Sequence, residues 1–338
     1  MEKIVLFGEL LLRLKSPGKE RLLQSPALEA VFGGSEANVA VSLAVLGREA
    51  CFVTALPEHA VGRAAAASLA RYGVRVQPVL KPGRLGIYFL EDGACQRPST
   101  VIYDRSGSCF AETAADEYGW ASAFSGASWF HVSGVTPAVS QNAAGCALCA
   151  MKEARRQGAS VSLDLNYRKK LWKYGASAVE TMRALAALAD VIVANEEDIQ
   201  NCLGIAPGGL GMTADGCRHL CEEVRRQFPN VRTVAVTLRR SQSADRNGWS
   251  AVLSGRTGFF ESASYSIENI VERVGAGDSF AAGLIFGLSE FGGDEQKALD
   301  FAAAASCLKH SIPGDFNLST KEEILALMAG NANGRIQR

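Results

Sequence analysis

A glycine-rich turn precedes an apolar helix late in the chain, in the sequence Val274-Gly275-Ala276-Gly277-Asp278-Ser279-Phe280. Backbone N–H groups at the start of a helix have no partner within it, and the helix dipole adds partial positive charge there. The place therefore suits an anion such as a phosphate. Asp278 can take the proton of an attacking hydroxyl while the amides of Gly275, Ala276 and Gly277 stabilise a phosphoryl group in transfer. The same residues also fit an ordinary helix start with Asp278 as its N-cap.

Two common phosphate-binding motifs are missing from the sequence. The pattern G-x-x-x-x-G-K-[ST] does not occur, so a phosphate loop of that type is excluded. The first apolar run is followed by Gly8-Glu9-Leu10-Leu11 and not by G-x-G-x-x-G, which disfavours a dinucleotide fold. Any phosphates therefore need the turn at 274–280.

The composition favours a globular protein with a small-molecule partner. The chain has 338 residues, of which 48% are hydrophobic and 21% charged, and Lys+Arg balance Asp+Glu at 35 each. This balance predicts no binding to nucleic acid or to an anionic membrane. The odd number of cysteines, nine, favours reduced thiols and a cytoplasmic protein. The start of the chain lacks the features of a signal peptide, and no apolar run approaches the ~20 residues that span a bilayer.

Short apolar runs alternate with stretches of helical spacing, which predicts an α/β fold with a mostly parallel sheet and helices on both faces. The predicted strands are Ile4–Phe7, Cys51–Leu56, Trp129–Val132, Val161–Leu165, Val191–Ala194 and Thr233–Thr237. The predicted helices are Ala37–Leu46, Ala60–Tyr72, Ala138–Gln157, Val179–Leu188, Ala214–Phe228, Asp278–Glu290, Glu295–His310 and Thr320–Met328. With no linker in view, residues 1–338 are expected to form a single domain.

Two segments, at about 10–32 and 84–110, interrupt this alternation. They contain short strand-like pieces separated by Gly, Pro and Asp, with no long helix between them. They predict a small β-sheet with exposed edges and one apolar face. Such a sheet needs a cleft or a second subunit to cover it, so it is expected to act as a lid and to support a homodimer or larger homo-oligomer.

The turn at 274–280 resembles the signature D-T-x-G-A-G-D-x-F of the ribokinase-like, or PfkB, carbohydrate kinase family. Gly33-Gly34-Ser35-Glu36-Ala37-Asn38-Val39-Ala40 resembles the N-terminal signature of that family, and Asn195-Glu196-Glu197-Asp198 its N-x-x-E segment. The resemblance covers about residues 3–318. It implies a ribokinase-like three-layer sandwich with a β-sheet lid, and ATP and Mg²⁺ as cofactors.

The resemblance also implies roles for residues outside the turn. Gly33 and Gly34 would leave room for a polyhydroxylated ligand, with Asn38 donating to and accepting from its hydroxyls, although a loop glycine pair and a helix-start Asn explain them too. Asn195 and Thr237 would face phosphates, and Glu197 and Asp198 would serve Mg²⁺, directly or through water. The adenine is expected between the loop Leu238–Gly248 and the helix Ala302–Lys309.

One departure from the family signature lies just before the turn. Glu272-Arg273 stands where the family has Asp-Thr. Glu272 preserves the negative charge, but Arg273 places a bulky cation near the phosphates or near a monovalent-cation site. A requirement for K⁺ therefore stays uncertain.

Three local sequences are most similar to those of family members that phosphorylate 2-keto-3-deoxygluconate, namely Tyr103–Arg105, Asp164–Trp172 and Lys309–Asn317. The resemblance implies a sugar acid phosphorylated on its terminal hydroxyl, and the planar forks of Arg105 and Arg168 suit its carboxylate. The expected sugar-contacting residues are Gly33, Gly34, Asn38, Tyr88, Tyr103, Arg105, Arg168 and Asp315. Tyr88 and Tyr103 also fit packing within the lid, and Asp315 also fits an ordinary turn after Pro-Gly. The alternatives are another sugar kinase of the fructokinase or ribokinase type and a non-catalytic sugar-binding relative.

Overall fold

The structure, a computed structural model, describes residues 2–207 and 213–330. The strands are β1 (Lys3–Phe7), β2 (Leu11–Lys15), β3 (Glu29–Gly33), β4 (Glu49–Pro57), β5 (Arg75–Lys81), β6 (Ile87–Glu91), β7 (Thr100–Asp104), β8 (Ala127–Ser133), β9 (Ser160–Asp164), β10 (Val191–Asn195), β11 (Thr233–Ser241), β12 (Arg246–Ser254), β13 (Phe259–Glu261) and β14 (Tyr265–Glu268). The helices are α1 (Ser35–Val45), α2 (Ala60–Ala70), α3 (Cys109–Glu112), α4 (Trp120–Phe124), α5 (Gln141–Arg156), α6 (Ala178–Ala186), α7 (Glu196–Leu203), α8 (Ala214–Gln227), α9 (Ala276–Glu290), α10 (Glu295–Lys309) and α11 (Lys321–Met328).

A large twisted sheet forms the centre of the molecule, in the order β13-β12-β11-β10-β9-β8-β1-β4-β5, with β14 paired to β12. The strands from β11 to β5 in this order run parallel, and β12 to β14 add an antiparallel edge. Parallel strands covered on both faces read as continuous apolar runs, and β1 and β10 are of this kind. The predicted mostly parallel sheet is confirmed.

Helices cover both faces of this sheet and make three layers. In β1 the alternating side chains divide between two cores, with Val5 and Phe7 in one and Ile4 and Leu6 in the other. The first core is completed by apolar residues of α5, α6 and α8. The second is completed by apolar residues of α1, α9 and α10. The predicted sandwich is therefore confirmed, and α1 and α9 share one face.

A second sheet of four strands, in the order β3-β2-β6-β7, forms the lid. The predicted segments 10–32 and 84–110 contain these strands, although α3 begins within the second segment. Leu11, Tyr88 and Leu90 pack together on the face of the lid that is turned towards the body of the molecule. Alternation along the strands places the side chains of Leu14 and Phe89, which pair in register, on the opposite face.

The sequence-based interpretation was wrong about residues 238–248. Residues up to Ser241 continue β11 and residues from Arg246 form β12, so the predicted loop is a hairpin with a turn at 242–245. Arg239 and Arg240 are exposed there. The apolar pattern by which strands were predicted does not detect a strand segment made of charged residues. β5 was also missed, since Pro78 interrupts its pattern. None of the helices in the described ranges is long and apolar enough to span a membrane.

Candidate active site

A cleft of about 690 Å³ lies between the lid and the large sheet. Its floor is formed by Asp164 and Asn195, the last residues of β9 and β10, and by Thr237, which pairs with Asn195 from the middle of β11. Ligands of open α/β sheets bind at the carboxyl ends of the strands, and the helix-preceding turns of such folds supply backbone amides there. The segment Arg273–Asp278 closes one side of this cleft.

The glycine turn begins α9 with a left-handed residue. Gly275 is the N-cap with φ 84°, and the helix proper begins at Ala276. A Cβ on Gly275 would lie 2.0 Å from the carbonyl oxygen of Asp315, so only glycine fits. Asp278 lies within the first turn of the helix, and the alternative that it is the N-cap is wrong. A Cβ on Gly277 would meet no protein atom within 4 Å, which leaves open space for a ligand beside that residue.

Asp278 is buried at the cleft and is held by two side chains from α1. Ser35 Oγ donates to its Oδ1 at 2.7 Å, and Asn38 Nδ2 donates to its Oδ2 at 2.7 Å. Burial raises the pKa of Asp278 to about 6, and the two hydrogen bonds oppose that rise. The carboxyl is therefore ionised at neutral pH but close enough to neutrality to accept a proton. Asn38 thus donates a hydrogen bond to the predicted base, and its predicted contact with the sugar stays a prediction.

Two further carboxylates face the same cleft. Burial raises the pKa of Asp164 well above its ordinary value, and the charges of Asp198 and Asp278 raise it further. The pKa of Asp198 is raised by burial and lowered by the Arg168 guanidinium. Carboxylates crowded in this way favour a cation between them or a proton on one of them.

The segment expected to serve Mg²⁺ forms the start of α7. Asn195 is the N-cap, its Oδ1 accepting from Asp198 N at 2.8 Å, while Asp198 Oδ1 accepts from Tyr167 N at 3.0 Å. Glu197 is exposed and lines the cleft with both of these residues. In the described part of the chain no three or more acidic, His or Cys side chains are grouped so that they could hold a metal ion by themselves. This donor set fits Mg²⁺ that keeps most of its ligands as water and phosphate.

The two predicted arginines, Arg105 and Arg168, both line the cleft but differ in burial and in hydrogen-bond partners. Arg105 is buried, and its Nε donates to Glu9 Oε2 at 2.6 Å, while Ser108 Oγ donates to Glu9 Oε1 at 2.6 Å. Glu9, which sequence reasoning missed, therefore orients Arg105. Arg168 is exposed and donates to the carbonyl oxygen of Tyr167 at 2.9 Å.

Asp315 and Tyr88 form a buried pair beside the lid. Tyr88 Oη donates to Asp315 Oδ2 at 2.5 Å, and Arg13 donates to Asp315 Oδ1 at 2.5 Å. The carboxylate of Asp315 thus already has two protein partners. Tyr103 lines the cleft from the neighbouring strand.

Gly33 ends β3 and Gly34 is the N-cap of α1, and both make room for protein atoms. A Cβ on Gly33 would lie 1.9 Å from Asp315 Oδ2, and a Cβ on Gly34 would lie 2.2 Å from the carbonyl oxygen of Glu9. The packing of the protein itself therefore requires glycine at both positions, and space for a ligand beside them stays a prediction. Gly34 lines the cleft, whereas Gly33 lies behind it.

The opposite end of the cleft is lined by the predicted Thr237 and by Arg239, Ser241, Trp249 and His310. The predicted adenine region therefore lies beside two strands and the end of α10, and not beside a loop. Arg273 is tied to the hairpin turn, since its guanidinium donates to the carbonyl oxygens of Ser243 at 2.5 Å and Ala244 at 2.7 Å.

Sequence reasoning also left Ser35, Asp164 and Asn166 out of the site, although all three belong to quoted motifs. Asn166 Nδ2 donates to Ser35 Oγ at 3.2 Å, and the same Ser35 hydroxyl donates to Asp278. Asn166 adopts φ 34°, which is uncommon for a residue other than glycine and often marks a functional site. Its sequence gave no sign of this conformation, because Asn is common in loops of every kind.

The geometry suits phosphoryl transfer to a small acceptor, with a buried carboxylate near the backbone amides of a helix start and a small sheet that lines the cleft. The chain belongs to the pfkB family of carbohydrate kinases, because the model of that family matches residues 1–320. The family resemblance in the sequence is thereby confirmed.

Curated and solved relatives agree with this family over nearly the whole chain. A 2-dehydro-3-deoxygalactonokinase from Haloferax volcanii is 30% identical over 338 residues, which is 98% of each chain. A 2-dehydro-3-deoxygluconokinase from Bacillus subtilis is 28% identical and covers 88% of this chain and 86% of its own. The crystal structure of 2-dehydro-3-deoxygluconokinase from Thermotoga maritima is 45% identical, with a TM-score of 0.91 over 97% of this chain and 98% of that one.

Proposed function

We propose that this carbohydrate kinase transfers the γ-phosphoryl group of ATP to the terminal hydroxyl of 2-keto-3-deoxygluconate, also called 2-dehydro-3-deoxygluconate. The observation that carries the proposal is the position of Asp278, between the donors of Ser35 and Asn38 and next to the amides of the glycine turn. The names of the relatives from Bacillus subtilis and Thermotoga maritima support the choice of sugar acid.

The reaction is an in-line displacement. The terminal hydroxyl oxygen forms a bond to the γ-phosphorus while the bond to the bridging oxygen of ADP breaks, and the hydroxyl proton passes to Asp278. Ser35 and Asn38 hold the carboxylate of Asp278 towards the acceptor. The amides of Gly275, Ala276 and Gly277 stabilise the charge on the transferring group.

Mg²⁺ is the metal that the donor set fits. When bound, it neutralises charge on the β- and γ-phosphates. Glu197, Asp198 and Asp164 would hold its water ligands, since they line the cleft beside Thr237. Arg273, the residue that raised the question of K⁺, already supplies a positive charge at the carbonyl oxygens of Ser243 and Ala244.

Recognition of the acid group rests on Arg105 and Arg168. Arg105 uses its Nε to donate to Glu9. The two terminal nitrogens of Arg105 remain to bind a planar carboxylate on the substrate. Arg168 supplies a second fork from the loop after β9. Tyr88 and Tyr103 on the inner face of the lid, with Gly34 and Asp315, form the rest of the sugar pocket.

A second candidate substrate is the epimer 2-keto-3-deoxygalactonate, because the relative from Haloferax volcanii carries that name. The two epimers differ in the configuration of one hydroxyl, so one hydrogen bond to a pocket residue decides between them.

A panel of acceptors assayed by ADP release tests the substrate. We expect the two keto-deoxy acids to be phosphorylated with a higher kcat/KM than fructose, ribose or a neutral keto-deoxy sugar. Arg168→Lys is expected to lower kcat/KM for the acids more than for neutral sugars, because a lysine cannot form the bidentate fork. Preference for a neutral sugar would overturn the sugar-acid assignment.

We also propose that the protein forms a homodimer through the outer face of the lid. Leu14, Phe89 and Ile102 lie in register across three strands on that face, and 50% of Ile102 is exposed. A continuous apolar row on an open sheet favours cover by a second copy.

A further inference from the structure

Arg13 connects the lid to the body of the molecule. It lies on β2 of the lid, and its side chain is 3% exposed. One terminal nitrogen, Nη1, lies 2.5 Å from Asp315 Oδ1 and 3.0 Å from Glu272 Oε2. A single guanidinium therefore bridges two carboxylates that belong to the body.

The two residues that carry these carboxylates, Glu272 and Asp315, both contact the glycine turn or the segment that enters it. Glu272 Oε1 accepts from the backbone N–H of Arg273 at 3.1 Å and of Val274 at 3.2 Å, so it fixes the chain that enters the turn. The backbone carbonyl of Asp315 packs against Gly275, as shown by the 2.0 Å that would separate it from a Cβ there. Two residues that form ion pairs with Arg13, Glu272 and Asp315, therefore contact the turn from two sides.

The same network reaches the sugar side of the lid. Asp315 Oδ2 accepts from Tyr88 Oη at 2.5 Å, and Tyr88 pairs in register with Arg13 on the neighbouring strand. Arg13 and Tyr88 thus project from the same face of the lid onto one carboxylate. The lid strands and the turn are therefore connected through Asp315.

Stability alone explains this network poorly. Arg13, Glu272 and Asp315 are each 3% exposed, and taking charges out of water costs about as much as their attraction returns. Arg13 Nε and Glu272 Oε2 are buried and without a hydrogen-bond partner in the described part of the chain, so Arg13 and Glu272 meet only as an ion pair. The free energy of folding therefore gains little from this ion pair.

We propose that Arg13 is a positioning residue for phosphoryl transfer. It sets the distance between the sugar held by the lid and the phosphoryl group held by the turn, and it touches neither of them. The inference deepens the proposed function, because it requires an acceptor held by the lid. It does not depend on which sugar that acceptor is.

Arg13→Met tests the proposal, with the best acceptor from the panel as substrate. The methionine keeps the length and apolar bulk of the side chain and removes its charge. We expect kcat to fall by about 10- to 100-fold, since a misplacement of about 1 Å between reacting groups has effects of this size. The Kd values of ATP and of the acceptor, measured by calorimetry with the stoichiometry of binding, are expected to change less than about 3-fold, because the contacts within each half of the site remain.

Arg48→Met is the matched control. Arg48 forms an ion pair with Glu290 at 2.6 Å on a part of the surface outside the cleft. This variant is expected to lower the melting temperature without changing kcat per binding-competent site. Arg13→Lys is expected to recover part of the turnover, since an ammonium reaches one of the two carboxylates.

Rescue by free guanidinium separates positioning from folding. Arg13→Ala leaves a space of guanidinium shape between Asp315 and Glu272, and added guanidinium chloride at low concentration is expected to raise its kcat. The same salt is expected to lower or leave unchanged the kcat of the Arg48→Met control. The proposal is overturned if Arg13→Met keeps a normal kcat per binding site, or if its loss appears as weakened binding of the substrates with no loss of kcat.

Discussion

At the scale of single residues, the proposed chemistry depends on how the neighbours of Asp278 set its charge. Burial raises its pKa to about 6, and the hydrogen bonds from Asn38 and Ser35 hold it below the value that burial alone would give. The carboxylate is thus a base at neutral pH, and its basicity is tuned by two residues of α1. In this account, Ser35 and Asn38 act on Asp278 and do not need to contact a phosphate.

This arrangement predicts the pH dependence of the Asn38→Ala variant. The wild-type kcat/KM is expected to fall below about pH 6, as Asp278 becomes protonated. Removing the Asn38 donor destabilises the ionised carboxylate, so the pKa of Asp278 rises and the acid limb moves to higher pH. Ser42→Ala, which removes a hydrogen bond to the backbone of the same helix, is the control. An acid limb that stays in place in Asn38→Ala would contradict this account.

At the scale of elements, the turn and α9 form one unit in which two glycines have different tasks. Gly275 needs its left-handed φ of 84° and close contact with Asp315, whereas the position of a Cβ on Gly277 is open. The fold thus requires glycine at position 275, and we expect a bound ligand to require glycine at position 277.

Two alanine variants separate these tasks. Gly275→Ala is expected to lower the free energy of unfolding by at least the ~1–2 kcal/mol that a left-handed conformation costs other residues. Gly277→Ala is expected to keep the wild-type melting temperature and to raise KM for ATP, because its methyl group enters the space left for phosphate. Thermal unfolding and steady-state kinetics measure both effects. Wild-type kinetics in a folded Gly277→Ala would show that the phosphate lies elsewhere.

The elements also show what the sequence can and cannot reveal. The glycine turn and Asp278 could be predicted because the residues concerned are neighbours in the sequence. The strand–helix alternation could be predicted because each buried strand is itself apolar. Arg13 was missed, since its partner Asp315 lies 302 positions away and nothing local marks either as one of a pair. Glu9 was missed for the same reason, because its hydrogen bonds to Arg105 and Ser108 exist only once the lid is folded.

At the scale of the whole molecule, the lid has an inner face that lines the cleft and an outer apolar row through which we propose that two copies assemble. We expect wild-type protein to sediment as a dimer at micromolar concentration and Ile102→Glu to sediment as a monomer, because the carboxylate would be buried in the interface. Leu80→Glu is the control, since Leu80 is 57% exposed on β5 of the large sheet. A monomeric wild type, or a dimer that survives in Ile102→Glu, would contradict assembly through this row.

The mechanism that we propose for the kinase reaction has Asp278 as its base, and Asp278→Asn tests it most directly. Asparagine keeps the size of the side chain and cannot take a proton. We predict that kcat falls by about 10²- to 10⁴-fold while the Kd values of ATP and of the sugar acid, measured by calorimetry, stay close to those of the wild type. Turnover of Asp278→Asn at a rate close to wild type would contradict the mechanism.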